Sequence, residues 1–163
     1  MWHVKFALTQ KRVGCYAGIP HYWRRIMRPF HLAMPVADLA KARHFYGTIL
    51  GCPEGRSDPT WVDFDFFGHQ LVFHENPNQK IDRFVNPVDE HPVPVPHFGV
   101  ILEWDDWHDL AQKLKNNNIE FVIEPYVRFK GKPGEQATLF FYDPNGISLE
   151  FKSFKHDSMI FEK

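Results

Sequence analysis

The same order of predicted elements occurs twice in this chain. In the first copy the strand-like stretch PFHLAMPV is followed by ADLAKARHFYGTIL, whose apolar residues recur with helical spacing, and then by three stretches with the alternation of β-strands. In the second copy HFGVILE and WDDWHDLAQKLKNNN are again followed by three strand-like stretches. Self-similarity on this scale predicts two equivalent β-α-β-β-β units and therefore an α+β fold.

A segment that interrupts regular structure separates the two units. Unit one spans residues 28–75 and unit two spans 96–154, and both belong to a single domain over 28–154, which is followed by a C-terminal tail over 155–163. The stretch NPNQKIDRFVNPVDEHPVPVP, which runs from Asn76 to Pro96 at the start of unit two, contains five prolines, which exclude a central strand or a helix. We therefore interpret residues 76–95 as a linker.

Residues 1–27 form a basic extension ahead of the repeated units. Six Lys and Arg residues precede the first acidic residue, Asp38, and the extension lacks the continuous apolar run of a secretory signal. Three interpretations stay open: a segment folded onto the domain, a leader translated ahead of a start at Met27, and an organelle-targeting segment.

The composition narrows the functional class. The chain has 163 residues, of which 44% are hydrophobic and 16% aromatic, and a formal net charge of -1, as expected of a soluble globular protein. This charge predicts no nucleic-acid partner, and no apolar run is long enough to span a membrane. Two cysteines, Cys15 and Cys52, without a CxxC pair favour a reducing, cytoplasmic location.

A glutamate in the second copy has no counterpart in the first. When Gly68 of FGHQLVFHE is aligned with Gly146 of DPNGISLEF, Val72 takes the place of Glu150. The residues that flank Glu150 are apolar and point to the opposite side of the predicted strand. A carboxylate in such a strand requires a partner, because burying an unpaired charge is costly.

Each unit has one histidine at the start of its first predicted strand. With Glu150, His31 and His97 provide two imidazoles and one carboxylate, a set that binds divalent first-row metals and leaves other coordination positions open. The same residues also fit a structural role, in which the glutamate reaches a strand edge or a lysine and the histidines bond to the backbone. The spacing alone leaves both interpretations open.

Three phrases of the sequence carry a family resemblance. HLAMPVADLAKARHFYGTILGCPEGR, VPVPHFGVIL and GEQATLFFYDPNGISLEFK resemble the vicinal oxygen chelate superfamily, which contains glyoxalase I, bleomycin- and fosfomycin-resistance proteins and extradiol dioxygenases. They are most similar to a bacterial group of predicted extradiol-type dioxygenases. The resemblance implies paired units that form a cupped mixed sheet around a metal, with His31, His97 and Glu150 as the metal ligands. Many members of the superfamily pair as dimers, so we expect a homodimer, and a monomer whose two units form the cup internally stays open as the alternative.

The resemblance further implies an activity. Glyoxalase I has a fourth protein ligand at the place that Val72 occupies, so three ligands here imply a more open metal, with Fe(II) as the first choice. We expect a dioxygenase that acts on a small vicinal diol or aromatic substrate with O₂. Two alternatives remain: a glyoxalase-like isomerase, lyase or thiol transferase that uses Mn(II), Ni(II) or Zn(II), and a metal-free binding protein of the resistance type.

Further side chains are expected around such a metal. His69 falls where extradiol enzymes carry their acid/base histidine, and an imidazole suits proton transfer in both directions. Phe140 takes the place of the tyrosine that holds the substrate oxygen in that family, and Tyr142 lies two residues away. The catalytic candidates are His69, His74 and Tyr142, and the substrate-binding candidates are Phe140, Arg128 and Val72.

Overall fold

A computed structural model describes residues 28–88 and 91–162 of the chain. The predicted α+β class is confirmed, and the order of elements is consistent with two β-α-β-β-β units. The basic extension over 1–27 lies outside the described residues, so its three interpretations stay predictions. In the described part of the chain, no helix is long and apolar enough to cross a membrane.

Unit one consists of a four-stranded sheet and one helix. Its strands are β1 (His31–Val36), β2 (Glu54–Asp58), β3 (Trp61–Phe66) and β4 (His69–Glu75). The first strand pairs in parallel with β4, and antiparallel pairing of β4 with β3 and of β3 with β2 completes the order β1-β4-β3-β2. The first and last strands of the unit are therefore neighbours.

Helix α1 follows β1 and has both of its predicted ends. It is α-helical over Leu39–Ala42 and continues with wider π-helical turns over Arg43–Leu50. The carboxylate of Asp38 accepts the backbone N–H of Lys41 and so caps the first turn. Gly51 ends the helix with a φ of 83°, a left-handed conformation that glycine adopts without strain.

The proline-rich linker contains a hairpin that the sequence pattern did not predict. Strands β5 (Phe84–Val88) and β6 (His91–Val95) pair antiparallel in a separate two-stranded sheet. Pro87 and Pro92 lie opposite each other in this pair. Such prolines are tolerated because an edge strand does not need the N–H group that proline lacks.

Unit two repeats the topology of unit one with a less regular first strand. Its elements are helix α2 (Trp104–Asn116), β7 (Phe121–Arg128), β8 (Gln136–Tyr142) and β9 (Ser148–Phe154). The three strands are antiparallel in the order β7-β8-β9. The predicted first strand, HFGVILE, forms two isolated parallel bridges to β9, at Phe98 and Ile101, instead of a continuous ladder.

The two units bury the inner faces of their sheets in one common core. Phe73 of β4 and Phe151 of β9 belong to the same hydrophobic cluster, which also includes residues of both helices. Because side chains alternate along a strand, Val72 and Glu150 lie on the outer faces of their sheets. The two outer faces are therefore turned away from the shared core, and the sheets of the two units stay separate within one chain.

A buried polar contact joins the two units. The hydroxyl of Tyr46, on helix α1, donates to Oδ2 of Asp143, which follows β8, over 3.1 Å. Oδ1 of the same carboxylate accepts the backbone N–H groups of Asn145 and Ile147, each over 2.8 Å. Burial raises the pKa of Asp143 to about 6, although these hydrogen bonds act in the opposite direction.

Candidate metal centre

His97 and Glu150 are in contact on the outer face of unit two. Nε2 of His97 lies 3.1 Å from Oε2 of Glu150, and the two side chains are 28% and 11% exposed. Glu150 lies in the middle of β9, and parallel pairing with β9 brings the segment that begins at His97 alongside it. The structure therefore brings together two of the three predicted metal ligands.

The two oxygens of the Glu150 carboxylate have different partners. Oε1 accepts the hydroxyl hydrogen of Thr138 over 2.8 Å and lies 3.3 Å from Nζ of Lys152. Oε2 faces His97. Thr138 lies on the adjacent strand β8 and is only 3% exposed, and its hydrogen bond to the carboxylate is partly buried. This bond limits rotation of the carboxylate and directs Oε2 toward the imidazole.

The ring of His97 is held in one tautomer by the backbone. Its Nδ1 lies 2.6 Å from the carbonyl oxygen of Pro94, at the end of the hairpin. A carbonyl oxygen only accepts hydrogen bonds, so Nδ1 carries the proton and Nε2 of the neutral ring carries a lone pair. Nε2 of His97 faces Oε2 of Glu150, and the two groups form an ion pair when the imidazole is protonated. When the ring is neutral, both atoms offer lone pairs, and a cation between them stabilises that arrangement.

Gly99 permits the close approach of these two ligands. The backbone N–H of Glu150 donates to the carbonyl oxygen of Phe98 over 2.9 Å. A Cβ added at Gly99 would overlap the carbonyl oxygen of Glu150, so every other residue type would push the segment away from β9. The glycine therefore sets the distance between the segment after His97 and the strand that carries Glu150.

The third predicted ligand, His31, lies apart from this pair. It begins β1 on the outer face of unit one, where its Nδ1 is 2.8 Å from Oε1 of Gln70. Among the residues that the structure describes, no three or more His, Cys, Asp or Glu side chains are close enough to hold a metal ion. One chain therefore presents the predicted ligands as two separate parts, one on each unit.

The register of the strands supports the alignment of Val72 with Glu150. Val72 lies beside Ala33 in the parallel pair of unit one, and Gly99 takes the corresponding place beside Glu150 in unit two. Val72 is 6% exposed and lies opposite Asp63 of β3. Unit one therefore has a carboxylate on the strand adjacent to Val72, and this carboxylate contacts Gln70 and Arg56 instead of a histidine.

Three predicted side chains lie on the same outer face as Glu150. Phe140 lies directly opposite Glu150, and its ring centroid is 5.1 Å from that of His97. Tyr142, two residues further along β8, is covered by the guanidinium of Arg83 at 4.2 Å from its ring centroid. Arg128 is at the end of β7, with its guanidinium over the ring of the next residue. Their proposed roles stay predictions.

The two remaining predicted histidines belong to unit one. His69 begins β4, and its Nδ1 accepts the backbone N–H of Phe30 over 3.1 Å, so Nε2 of the neutral ring carries the proton. It borders a cavity of about 500 Å³ together with Asp63 and Gln70. His74 is exposed near the end of β4, 6.5 Å from the ring centroid of Trp61. For His69, this geometry leaves Nε2–H of the neutral ring as the hydrogen-bond donor.

The sequence interpretation missed several polar residues around the ligands. Thr138 and Lys152 contact Glu150, and their alternation with Phe140 and Glu150 along β8 and β9 could have indicated the shared face. Tyr126 lies opposite Thr138, and burial and the charge of Glu150 raise the pKa of its phenol. No pattern in the sequence singles out Tyr126, because its position depends on bulges in the pairing of β7 with β8.

The fold and this site define a class of protein. The sequence profile of the Glyoxalase/Bleomycin resistance protein/Dioxygenase superfamily matches residues 28–151. The chain belongs to this superfamily, as the three sequence phrases indicated. Many of its members are enzymes, and they commonly bind divalent metals.

Solved structures of related proteins are similar to this chain. A glyoxalase/bleomycin resistance protein/dioxygenase from Alicyclobacillus acidocaldarius is 36% identical, with a TM-score of 0.67 over 82% of this chain and 96% of that chain. A glyoxalase/dioxygenase from Nostoc punctiforme is 20% identical, with a TM-score of 0.60 over 79% and 92%. A genomically encoded fosfomycin resistance protein from Listeria monocytogenes is 17% identical, with a TM-score of 0.57 over 78% and 93%. The last two similarities concern the fold alone. No curated protein sequence matches the chain significantly.

Proposed function

We propose that this protein is a divalent-metal-dependent enzyme whose substrate binds the metal through two neighbouring oxygen atoms. The reaction that we propose is extradiol-type dioxygenation with Fe(II). The contact between Nε2 of His97 and Oε2 of Glu150 carries the proposal, because with a neutral imidazole both atoms offer lone pairs and face each other at 3.1 Å.

The chemistry of the donor atoms fits such a metal. Neutral imidazole nitrogen and carboxylate oxygen together bind Fe(II), Mn(II) and Zn(II). Each group also has the outer hydrogen bond that accompanies metal ligands: Pro94 accepts from His97, and Thr138 donates to Glu150. These outer bonds leave Nε2 and Oε2 as the binding atoms.

The third ligand in this proposal is His31 of a second copy of the chain. Within one chain, the outer faces that carry His31 and Glu150 are turned away from the common core. A two-fold dimer that places unit one of each copy against unit two of the other would complete two identical sites. The metal site is then incomplete in a monomer.

Val72 supports an open coordination sphere. An aliphatic side chain at this place supplies no fourth ligand, so positions stay available for two substrate oxygens and for O₂. The bound metal would supply the activation of O₂ beside the chelated diol. The chain itself would supply the Nε2–H of His69 as a donor toward the substrate and the ring of Phe140 as an apolar wall.

Metal content and O₂ consumption test this proposal. The full chain, purified without O₂ and reconstituted with Fe(II), should hold about one metal per chain and consume O₂ with at least one catechol. His97→Ala and Glu150→Gln should lose the metal, whereas His44→Ala, at an exposed position of helix α1, should keep it. Wild-type protein that binds no divalent metal would overturn the proposal and favour a metal-free binding protein.

A second candidate is a glyoxalase-like isomerase, lyase or thiol transferase with Mn(II), Ni(II) or Zn(II). Phe140 favours it, because this residue is 4% exposed and provides no hydroxyl beside the ligands where extradiol enzymes have tyrosine. Turnover of methylglyoxal with a thiol, together with no O₂ uptake from catechols, would select this candidate over the dioxygenase.

A further inference from the structure

We propose that Gln70 and Asp63 are positioning residues for His31, which hold its ring in the tautomer that leaves Nε2 available as a ligand atom. This inference rests on the proposed metal site and extends it to two residues that do not touch the metal. It is carried by a continuous chain of hydrogen bonds on the outer face of unit one.

The chain begins at a buried carboxylate. Asp63 is 5% exposed, and its Oδ2 accepts from Nε2 of Gln70 over 3.0 Å and from the guanidinium of Arg56 over 3.3 Å. An ionised carboxylate only accepts hydrogen bonds, so the amide of Gln70 must turn its NH₂ group toward Asp63. The carboxylate of Asp63 therefore sets the orientation of the Gln70 amide.

The orientation of the amide then sets the tautomer of the histidine. With its NH₂ group toward Asp63, Gln70 presents Oε1 to His31, and the distance from Nδ1 to Oε1 is 2.8 Å. Because an amide oxygen only accepts, the proton of the neutral ring must be on Nδ1. Nε2 consequently carries the lone pair that a metal requires.

Unit two reaches the same result by a different route. There, Nδ1 of His97 bonds to the backbone carbonyl of Pro94 over 2.6 Å, so the same ring nitrogen is protonated. His31 is the exposed first residue of β1, and here a side chain, that of Gln70, fixes the tautomer instead of the backbone. Ordering an exposed ring in one tautomer and one orientation before metal binding reduces the free energy that binding must supply.

The tautomer of His31 is measurable in the metal-free protein. Long-range proton–nitrogen NMR of the full chain, labelled with ¹⁵N-histidine and recorded at about pH 8.5 where an ordinary imidazole is neutral, should show the Nδ1–H form. Gln70→Met, which removes the acceptor at similar volume, should shift His31 toward the Nε2–H form. Gln112→Met, on the exposed face of helix α2, is the matched control and should change nothing.

The affinity for metal supplies the second measurement. Competition titration with Zn(II) should show that Gln70→Met weakens binding by about 10- to 100-fold. Asp63→Leu, which removes the acceptor of the Gln70 amide, should also weaken binding, and Gln112→Met should leave it unchanged. Wild-type His31 in the Nε2–H form, or undiminished affinity in Gln70→Met, would overturn this inference alone. Wild-type protein that binds no divalent metal would overturn the proposed function, and the NMR spectrum would still decide whether Gln70 sets the tautomer.

Discussion

The hydroxyl of Thr138 donates a hydrogen bond to Oε1 of Glu150 over 2.8 Å, across two paired strands of unit two. Thr138 is only 3% exposed, and its bond to the partly exposed carboxylate is partly buried. Oε1 also lies 3.3 Å from Nζ of Lys152, whose side chain is longer and partly exposed. Thr138 is therefore the principal restraint on the orientation of the carboxylate.

Replacing Thr138 should weaken metal binding without removing a ligand. We expect Thr138→Val, which keeps the shape and removes the donor, to reduce the affinity for Zn(II) about 10-fold or more, as loss of an outer-shell partner commonly does. Thr138→Ser keeps the hydroxyl and should retain most of the affinity. A competition titration with a chromophoric chelator measures both variants. Equal affinity in Thr138→Val and wild type would contradict this role.

A site shared between two copies predicts complementation between inactive variants. Neither His31→Ala nor Glu150→Gln should bind metal alone. After unfolding and refolding together, about a quarter of the wild-type metal content should return, because half of randomly assorted dimers are mixed and each has one intact site of two. Metal analysis of the separated dimers measures this. A site within one chain would regain no metal on mixing.

Gly99 and Gly47 form a matched pair for the close approach at the site. A Cβ at Gly99 would overlap the carbonyl oxygen of Glu150, whereas a Cβ at Gly47, on helix α1, would lie 3.8 Å from the side chain of Phe64. We expect Gly99→Ala to lower the free energy of unfolding by more than about 2 kcal/mol. Gly47→Ala should be neutral or stabilise by up to about 1 kcal/mol. Urea unfolding of the metal-free variants measures both effects, and equal stability of the two would contradict the model of close approach.

The buried carboxylate of Asp143 predicts a pH dependence of stability. Burial raises its pKa from the ordinary 3.8 to about 6, so the folded state binds this proton more tightly than the unfolded state. Its contribution is fully present below about pH 4 and is lost as the pH rises through about 6.

Asp143→Asn removes this titration while keeping an oxygen for the backbone N–H groups of Asn145 and Ile147. The free energy of unfolding of the wild type should fall relative to the variant by up to about 3 kcal/mol between pH 4 and pH 7. Urea unfolding of both proteins without metal, at several pH values, measures this difference. A difference that does not change with pH would show that Asp143 titrates alike in both states.

Much of the fold follows from periodicity in the sequence. The apolar spacing after Asp38 and the glycine at position 51 predicted both ends of helix α1. The alignment of Gly68 with Gly146 predicted that Val72 and Glu150 occupy equivalent positions in the two units. These features depend on residues that are close together in the sequence of one unit, so the alternation of side chains and the capping of helices determine them. The hairpin of the linker escaped prediction, because prolines mask the alternation on which strand prediction relies.

The sequence by itself determined the order of elements in the two units, the superfamily, and the placement of His31 on a first strand, of His97 on the corresponding segment of unit two and of Glu150 on a last strand. Only the tertiary structure decided that His97 and Glu150 meet while His31 stays with Gln70 on another face. The physical reason is that the alternation of side chains along a strand determines which residues share one face of a sheet. Packing of the two sheets against the common core determines the direction in which each face points.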